Sequence, residues 1–478
     1  MSALAPALVV VPVAGCLSLL VGAVRPRAAL VMIATGLALA LLATIELLAP
    51  EHAVTLGGAV RLDATARLFL AVVNPVYLGV AVYVRGRAAA APALTPELWR
   101  FVAASLAFVA ACNVTLVANH LQLQWLALEA STLAAAGMIS HGGGATARQA
   151  AFRYVLFSSV GLGLALLGLS CLERAGGSGA MLLDRLAEAA PTQAGPWQSL
   201  GLFLLLLGLG TKLGLAPMYA WLPETYGAAP AAASALLGAV QFNCALVMLL
   251  RVVAAYRPAA PALISSTLVA LGILSMVVST VNVIATRSVR RLVAYASINH
   301  AGVIAIGLGV GRAAAYGLLL YVLSNAFTKA ILFVTAGNVR AHYGTDDTRE
   351  ISGLIKTLPY SGVFLMVGTF ALLGFPPFGS FVGELLILSA LVSSGRVLVF
   401  AVFCALITMT FVAVGRTIFP MIWGEGKGDV GGRRQTLAAA WPKMMFLVAL
   451  VVLGVYVPSS VGALIADVAA SIAREGTR

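Results

Sequence analysis

Nearly the whole chain of 478 residues consists of continuous apolar runs. Many of these runs reach about 20 residues, which is the length that an α-helix needs to cross a bilayer. Strands of a transmembrane β-barrel would instead be short and would alternate between polar and apolar residues. Because 61% of the residues are hydrophobic and only 10% are charged, we expect an all-α membrane protein with many spans.

The hydropathy pattern predicts about 14 transmembrane helices, at 4–24, 28–49, 67–84, 99–118, 120–139, 150–172, 198–221, 229–254, 261–284, 289–310, 313–338, 359–393, 397–423 and 440–465. Basic residues follow the first run, at Arg25 and Arg27, and none precedes it. This is the wrong polarity for a signal peptide, so we expect a retained first span with its N-terminus outside. An even number of spans places the C-terminus outside as well.

The net charge of +13 comes from basic residues that are scattered singly or in pairs between the apolar runs. When the loops are counted from an outside N-terminus, most of these residues fall on one side. The positive-inside rule identifies that side as cytoplasmic. No basic stripe is interleaved with aromatic residues, so we expect no nucleic-acid partner.

The five cysteines have no metal-ligand spacing, and the sequence contains no Walker A motif, no strand-associated G-x-G-x-x-G and no H-E-x-x-H. The connections between spans are too short to fold as domains. We therefore expect no cofactor, no metal and no catalytic site in this chain. Any redox or hydrolytic chemistry linked to it would reside on partner proteins.

Four ionisable side chains lie inside the predicted spans: Glu129, Lys212, Lys329 and Glu384. Each costs roughly 2.5–3.5 kcal/mol at the centre of a bilayer, so a functional role is the first hypothesis. The other three lysines are assigned to polar connections or to the ends of spans: Lys356, Lys427 and Lys443.

Lys212 belongs to the segment TKLGLAPMYAWLPETY at 211–226, in which Pro217 follows it. The proline ring removes a helix hydrogen bond and leaves carbonyl groups free at membrane depth. A broken helix beside an ammonium group suits a hydrated ion site. The alternative is that Lys212 only extends to the membrane surface.

The segment GFPPFGSFVGELLIL at 374–388 repeats this pattern, because Pro376 and Pro377 interrupt the apolar run and Glu384 follows them. Two proline-broken helices that lie five spans apart predict two inverted five-helix repeats. The predicted units are 1–97 with the first three spans, 98–258 and 259–424 with one repeat each, and 425–478 with the last span. The alternative for Glu384 is an ordinary kinked helix in which its carboxyl group is hydrogen-bonded for packing.

A carboxylate and an ammonium group in neighbouring helices reduce each other's desolvation cost, and separating them favours the neutral lysine. Glu129 and Lys212 are therefore candidates for a proton switch. His300 is a further candidate beside Lys329, because histidine exchanges protons readily. A single histidine in an apolar run is, however, often only a core residue.

From span 4 to span 13 the sequence resembles the antiporter-like, proton-translocating membrane subunits of complex I, Mrp antiporters and group-4 membrane-bound hydrogenases. The matching motifs are the span-5 glutamate (Glu129), K-x-x-x-x-P-x-x-x-W-L-P-[DE] from Lys212 to Glu224, Ser-x-x-His (Ser297, His300), N-A-x-x-K (Asn325, Lys329) and G-x-P-P-x-x-x-F-x-x-E from Gly374 to Glu384. The segment that begins at Asn243, and glutamate at 384, look most similar to the hydrogenase-4 F-type subunit.

The resemblance implies that protons enter from the cytoplasmic side, reside on Lys212, pass through His300 and Lys329 and leave through Glu384, while Glu129 loads or empties Lys212. It also implies a supporting polar axis and helix breaks, formed by Ser234, Asn243, Asn325, Pro217, Pro376 and Pro377. Many relatives carry a lysine where Asn243 stands and a histidine where Asn325 stands. Asparagine does not titrate, so water has to complete the path at both positions.

The implied location is a prokaryotic cytoplasmic (inner) membrane, within a complex of other membrane and peripheral subunits. One interpretation is a proton-translocating subunit of an NADH:quinone-oxidoreductase-like or hydrogenase complex. The other is an ion-coupling subunit of a non-redox system, either inorganic-carbon uptake with a peripheral zinc protein or a multi-subunit cation/proton antiporter. The candidate residues are rich in nitrogen and favour protons, because sodium prefers oxygen ligands.

Overall fold

The computed structural model describes residues 4–48, 55–56, 58–90, 97–177, 181–186, 195–425 and 437–473. In these ranges the chain is almost entirely helical, which confirms the predicted all-α class. Two short strands, β1 (Thr55–Leu56) and β2 (Val60–Arg61), pair in an antiparallel manner. Lys427, which the sequence places in a connection, lies outside the described residues.

The helices follow one another with short connections. The first part contains α1 (Leu4–Ser18), α2 (Ala28–Leu48), α3 (Ala64–Ala90), α4 (Leu98–Val117), α5 (Leu121–Ser140), α6 (Gly144–Gly176) and α7 (Pro196–Leu213). Next come α8 (Trp221–Ala228), α9 (Ala231–Leu236), a π-helix (Leu237–Gln241) and α10 (Phe242–Tyr256). The remainder contains α11 (Pro261–Ala285), α12 (Val289–Val310), α13 (Ala315–Tyr343), α14 (Leu354–Thr357), α15 (Pro359–Leu372), α16 (Gly379–Ser393), α17 (Val397–Trp423), α18 (Leu437–Val455) and α19 (Ser459–Ile472). Short 3-10 helices lie at Gly22–Arg27 and Arg312–Ala314.

Nine helices in the described ranges are long and apolar enough to cross a membrane, and a tenth results if the bent pair α18–α19 counts as one span. The remaining predicted spans correspond to α1, α5, α7 and the pair α15–α16, which are short, interrupted or more polar. The structure therefore has many potential membrane crossings, in agreement with a polytopic membrane protein.

The helices form a bundle with a fully enclosed centre. The run 231–256, which comprises α9, the π-helix and α10, has a most apolar stretch that is 100% buried, and the same holds for the run 312–343, which includes α13. The corresponding stretch of α17 is only 22% buried. Exposed aliphatic side chains such as Val412 and Leu398 cover the outer face of α17. The centre of the bundle is therefore formed by α9, the π-helix, α10 and α13, and α17 is peripheral.

Both predicted proline breaks are present. The helix α7 ends at Leu213, Gly214 adopts a left-handed conformation with φ of 77°, and the chain becomes helical again at Trp221. The indole Nε1 of Trp221 donates to the carbonyl of Thr211 at 3.0 Å and so satisfies a group near the break. The second break separates α15 from α16, around Pro376 and Pro377. The two breaks open the helical ladder next to Lys212 and Glu384.

The span predicted at 440–465 is broken into two helices. The chain leaves the helix after Val455 and starts α19 at Ser459, and the two helices meet at an angle of 70°. Pro458 precedes α19 and has no N–H group with which to continue the α18 ladder. The apolar composition alone hid this bend, because both pieces are hydrophobic.

Candidate functional site: a buried polar axis

Lys212 lies in the last turn of α7 and is only 4% exposed, so the alternative in which it reaches the membrane surface does not describe this structure. Its Nζ donates to Thr132 Oγ1 at 2.6 Å and to Tyr154 Oη at 2.9 Å. Both acceptors are neutral hydroxyl groups. The site can therefore hold Lys212 without a carboxylate in direct contact.

Glu129 lies on α5, one turn before Thr132 and thus on the same side of that helix. Its Oε1 accepts a hydrogen bond from Ser159 Oγ at 2.5 Å, while its Oε2 is buried and has no hydrogen-bond partner in the described residues. No salt bridge links Glu129 to Lys212 within those residues. Lys212 thus contacts the helix that carries Glu129 through Thr132, without a direct ion pair between the two charged residues.

A hydrogen-bonded chain continues from Lys212 to the π-helix. Tyr154 Oη donates to Gln241 Oε1 at 2.7 Å, and Gln241 Nε2 donates to Ser131 Oγ at 2.8 Å. Gln241 closes the π-helix, a distortion that occurs frequently at functional sites. The polar contacts of Lys212 therefore reach the buried centre of the bundle.

Lys329 lies on the other side of this π-helix, at 1% exposure. Its Nζ is 3.8 Å from the ring centroid of Phe242, the residue that follows Gln241. Gly238 faces the same side chain, because a Cβ atom built there would lie 3.5 Å from Lys329 Cδ. The π-helix thus separates Lys212 from Lys329 and contacts the surroundings of both.

Two buried asparagines in this region each have an unsatisfied oxygen. Asn243 Nδ2 donates to the carbonyl of Ala239 at 2.7 Å, but the Oδ1 atoms of Asn243 and Asn325 have no partner in the described part of the chain. Buried acceptors of this kind are normally satisfied, and water is a common partner. The two positions that do not titrate are therefore suited to hold water.

The residues Tyr321, Asn325 and Lys329 form a stripe along α13. They are spaced by four residues, so they lie on one face of the helix and extend over about 12 Å. Tyr321 Oη is hydrogen-bonded to His300 Nδ1. The stripe therefore connects the region of Lys329 with His300.

His300 and Glu384 line one small cavity. It has a volume of about 20 Å³, and Tyr321, Asn299 and Thr410 also border it. The volume is sufficient for one water molecule. His300 and Glu384, which were predicted to lie on one proton path, thus border the same cavity.

Gly374 makes room for the Glu384 carboxyl group. Its φ is 67°, and a Cβ atom added there would lie 2.6 Å from Glu384 Oε2. Ser380 Oγ donates to the carbonyl of Ala371 across the break at 2.7 Å. The backbone between α15 and α16 is thus shaped around the carboxyl group.

Ser234, predicted as a supporting polar residue, is buried and bonded to the backbone. Its Oγ donates to the carbonyl of Tyr226 at 3.1 Å, which joins α9 to α8. It stabilises the connection after the first break, and none of its hydrogen bonds within the described residues reaches Lys212 or Lys329. Pro217 lies within that break, between Leu213 and Trp221.

The buried polar axis comprises Glu129, Lys212, His300, Lys329, Glu384 and the neutral groups that contact them. The sequence did not reveal these neutral groups, and it did not reveal the burial of one further charged residue. The neutral partners are Thr132, Tyr154, Ser159, Gln241 and Tyr321. Single hydroxyl and amide side chains in apolar runs are common, so only their spacing relative to Glu129 or Lys329 signals a role. The charged residue is Lys443, which was assigned to the end of a span but is 0% exposed. Its Nζ has no hydrogen-bond partner among the described residues and lies 5.0 Å from the ring centroid of Phe364.

Comparison with known proteins identifies the family of this chain. Residues 118–410 match the family described as NADH:quinone oxidoreductase/Mrp antiporter, TM. The chain belongs to this family of antiporter-like, proton-translocating membrane subunits. The matched segment contains the whole axis, from Glu129 to Glu384.

Relatives come from several complexes. The chain is 30% identical over 360 residues to a hydrogenase-4 component F homolog of Methylacidiphilum infernorum, covering 73% of this chain and 74% of the relative. It is 33% identical to the NADH-quinone oxidoreductase subunit N of Desulforudis audaxviator, covering 52% of this chain and 50% of the relative. It is 28% identical to a subunit of the Na(+)/H(+) antiporter of Bacillus subtilis, covering 66% of this chain and 64% of the relative.

Solved structures share the whole fold. A chain of the Mrp complex from Dietzia sp. superposes with a TM-score of 0.86 at 20% identity, covering 98% of this chain and 97% of the other. A chain of respiratory complex I from Thermus thermophilus superposes with a TM-score of 0.83 at 23% identity, covering 99% and 100%. At these identities the likeness establishes the fold alone.

Proposed function

We propose that this chain carries protons through the membrane along the buried axis, as one subunit of a multi-subunit membrane complex. The observation that supports this most directly is the presence of two buried polar stretches, one on each side of the π-helix. Polar contacts lead from Lys212 through Tyr154 to Gln241, and the α13 stripe leads from Lys329 to the cavity of His300 and Glu384.

In the proposed path a proton arrives from the cytoplasmic side and resides on Lys212. Glu129 loads or empties this lysine by changing its electrostatic environment across Thr132. The proton then passes along water held by Asn243 and Asn325, reaches Lys329 and His300, and leaves by way of Glu384. The unsatisfied oxygens of the two asparagines support this water.

We further propose about 14 crossings and two inverted repeats, 98–258 and 259–424, between the units 1–97 and 425–478. The neighbour order supports the repeats, because α4, α5, α6 and α7 contact one another in sequence order, and α11, α12, α13 and the pair α15–α16 do the same. The fourth member of each series is the proline-broken helix. With both termini outside, the basic loops face the cytoplasm.

The proposed assembly is a redox complex in a prokaryotic cytoplasmic membrane, in which peripheral subunits carry the electron chemistry. The relative named as a hydrogenase-4 component supports this assignment. The second candidate is a cation/proton antiporter, which the relative from the Na(+)/H(+) antiporter supports. Purification of the native complex with metal analysis distinguishes them: nickel, iron or iron–sulfur subunits indicate the redox complex, a single peripheral zinc protein indicates carbon uptake, and small membrane subunits alone indicate the antiporter.

The proton path is tested with Lys212→Met in the native complex, reconstituted into vesicles that contain a pH-sensitive dye. We expect proton movement to be lost while the complex assembles normally, because methionine fills similar space without a titrating group. Lys356→Met is the matched control, since Lys356 is exposed in the short helix α14. Full proton movement in Lys212→Met would refute the proposed path.

A further inference from the structure

A groove at the surface of the bundle has no role in the proton path. It has a volume of about 880 Å³ and lies between the end of α11, the loop after α13 and the second half of α17. The helices α11, α13 and α17 all end on this side of the molecule. Three arginines line the groove, Arg287, Arg349 and Arg416, whereas no acidic residue lines it among the described residues.

Backbone hydrogen bonds fix two of these arginines. The amide of Thr348 donates to the carbonyl of Arg287 at 2.8 Å, and the amide of Val289 donates to the carbonyl of Asp346 at 3.0 Å. These bonds join the α11–α12 turn to the loop after α13 in an antiparallel bridge. Arg287 and Arg349 are therefore held at neighbouring positions before any ligand binds.

Two aspartates of the loop after α13 form ion pairs behind the groove. Asp347 accepts from Arg349 Nη2 at 2.6 Å, and hydrogen bonds from Arg349, with the nearby charge of Arg287, lower the pKa of Asp347 to about 2. Asp346 accepts instead from Arg290 and Arg340, which lie outside the groove. Burial raises the pKa of Asp346, and Arg340 opposes this rise.

Two arginines of the groove have no acidic side chain in direct contact. Arg287 and Arg416 are exposed, and their guanidinium groups form no hydrogen bond or salt bridge within the described ranges. Among the described residues, the lining of the groove therefore carries positive charges alone, and none of the described side chains fills it.

The floor of the groove is apolar and exposed. Ile284, Met409 and Val412 are 61%, 53% and 59% exposed. They lie on the membrane side of the arginines, since α17 runs from Val412 to Arg416 and then to its end at Trp423. Arg416 lies about 10 Å before that end, which places a long side chain within reach of the membrane interface.

We propose that this groove binds an anionic phospholipid, with the headgroup phosphate between Arg287 and Arg416 and the acyl chains along Ile284, Met409 and Val412. Guanidinium groups form strong charge-assisted hydrogen bonds with phosphate, and basic pockets between transmembrane helices suit anionic headgroups. The apolar floor distinguishes a lipid from a soluble anion. The proposal does not depend on the proton path.

The test uses the purified, delipidated full-length chain in detergent, with phosphatidylglycerol as the probe and phosphatidylcholine as the neutral comparison. Native mass spectrometry measures the bound fraction of each lipid. We expect phosphatidylglycerol to bind about tenfold more tightly than phosphatidylcholine, with one lipid per chain. In the double variant Arg287→Gln/Arg416→Gln this preference should disappear.

The control is Arg85→Gln/Arg148→Gln, which removes the same charge from two exposed arginines outside the groove. We expect it to keep the preference for phosphatidylglycerol. If the melting temperature of the double groove variant is too low for the measurement, the single variant Arg416→Gln is used instead, because Arg416 lies on the surface of α17. An unchanged preference in the groove variant, or an equal loss in the control, would overturn the proposal.

Two further measurements separate a lipid from other occupants. Inorganic phosphate at the same concentration should not displace phosphatidylglycerol, and full displacement would indicate a soluble-anion site instead. A photoreactive amino acid in place of Val412, in the native complex, should label lipid. Labelling of a partner subunit would show that protein covers the groove and would overturn the proposal.

Discussion

At the scale of single residues, the main feature of the axis is that neutral groups hold its lysines. Lys212 donates to two hydroxyl oxygens, and the Nζ of Lys329 lies over an aromatic ring. A charged partner would stabilise the ammonium form strongly. Neutral partners hold the side chain in place without a negative charge in direct contact.

Tyr154→Phe tests this arrangement. The change removes one acceptor of Lys212 and the link to Gln241, so we expect proton movement in reconstituted vesicles to fall roughly five- to tenfold. Tyr256→Phe is the matched control, because the Tyr256 hydroxyl is buried without a partner in the described residues. Equal rates in the two variants would show that Tyr154 does not contribute.

Lys443→Met gives a prediction about stability. An ammonium group that rests on the Phe364 ring and has no acceptor among the described residues is costly in the bundle interior. We expect methionine to raise the free energy of unfolding by about 2 kcal/mol and to raise the melting temperature by a few degrees.

Thermal unfolding of the purified protein in detergent measures this effect, and Lys356→Met should leave the melting temperature unchanged. A lower melting temperature for Lys443→Met would show that the fold depends on a polar interaction of the lysine.

At the scale of elements, both breaks in the helices create space for a charged group. Gly214 ends α7 one residue after Leu213 and two after Lys212, and Gly374 opens the turn that faces Glu384. Each position has a positive φ, which residues with a Cβ atom adopt at a cost of roughly 1–2 kcal/mol. The breaks are therefore specified by glycine as well as by proline.

Gly374→Ala should stop proton movement and lower stability, because the new methyl group would overlap the Glu384 carboxyl group. Gly395→Ala is the matched control. Gly395 also has a positive φ, of 71°, but a Cβ atom there would meet nothing within 4 Å. We expect the melting temperatures of both variants to fall, because alanine is strained at a positive φ. Only Gly374→Ala should lose proton movement in vesicles. Normal proton movement in Gly374→Ala would contradict the placement of Glu384 on the path.

At the scale of the whole molecule, the sequence predicted the class, the family and both breaks. Charged residues in apolar runs and proline motifs have a physical cost that makes them visible without a structure. The bend after Val455 and the burial of Lys443 were not predictable in this way. Hydropathy reports how apolar a segment is, and it does not report which neighbour a side chain will meet after packing.

The same limit applies to the axis. The resemblance implied one path through Glu129, Lys212, His300, Lys329 and Glu384. It could not identify Tyr154 or Gln241, which lead from Lys212 to the π-helix. Such links depend on the distance between α6, α7 and the π-helix. That distance results from packing of the complete bundle.

The helix α13 connects the buried axis to the loop that borders the groove. It is a continuous helix of 29 residues that carries Tyr321, Asn325 and Lys329, and it leads directly into the loop that holds Arg349. A stiff rod of this kind transmits a displacement from one end to the other. The three groups of the axis therefore share one rigid helix with the loop that borders the groove, so the surface and the interior of the bundle are joined by a single element.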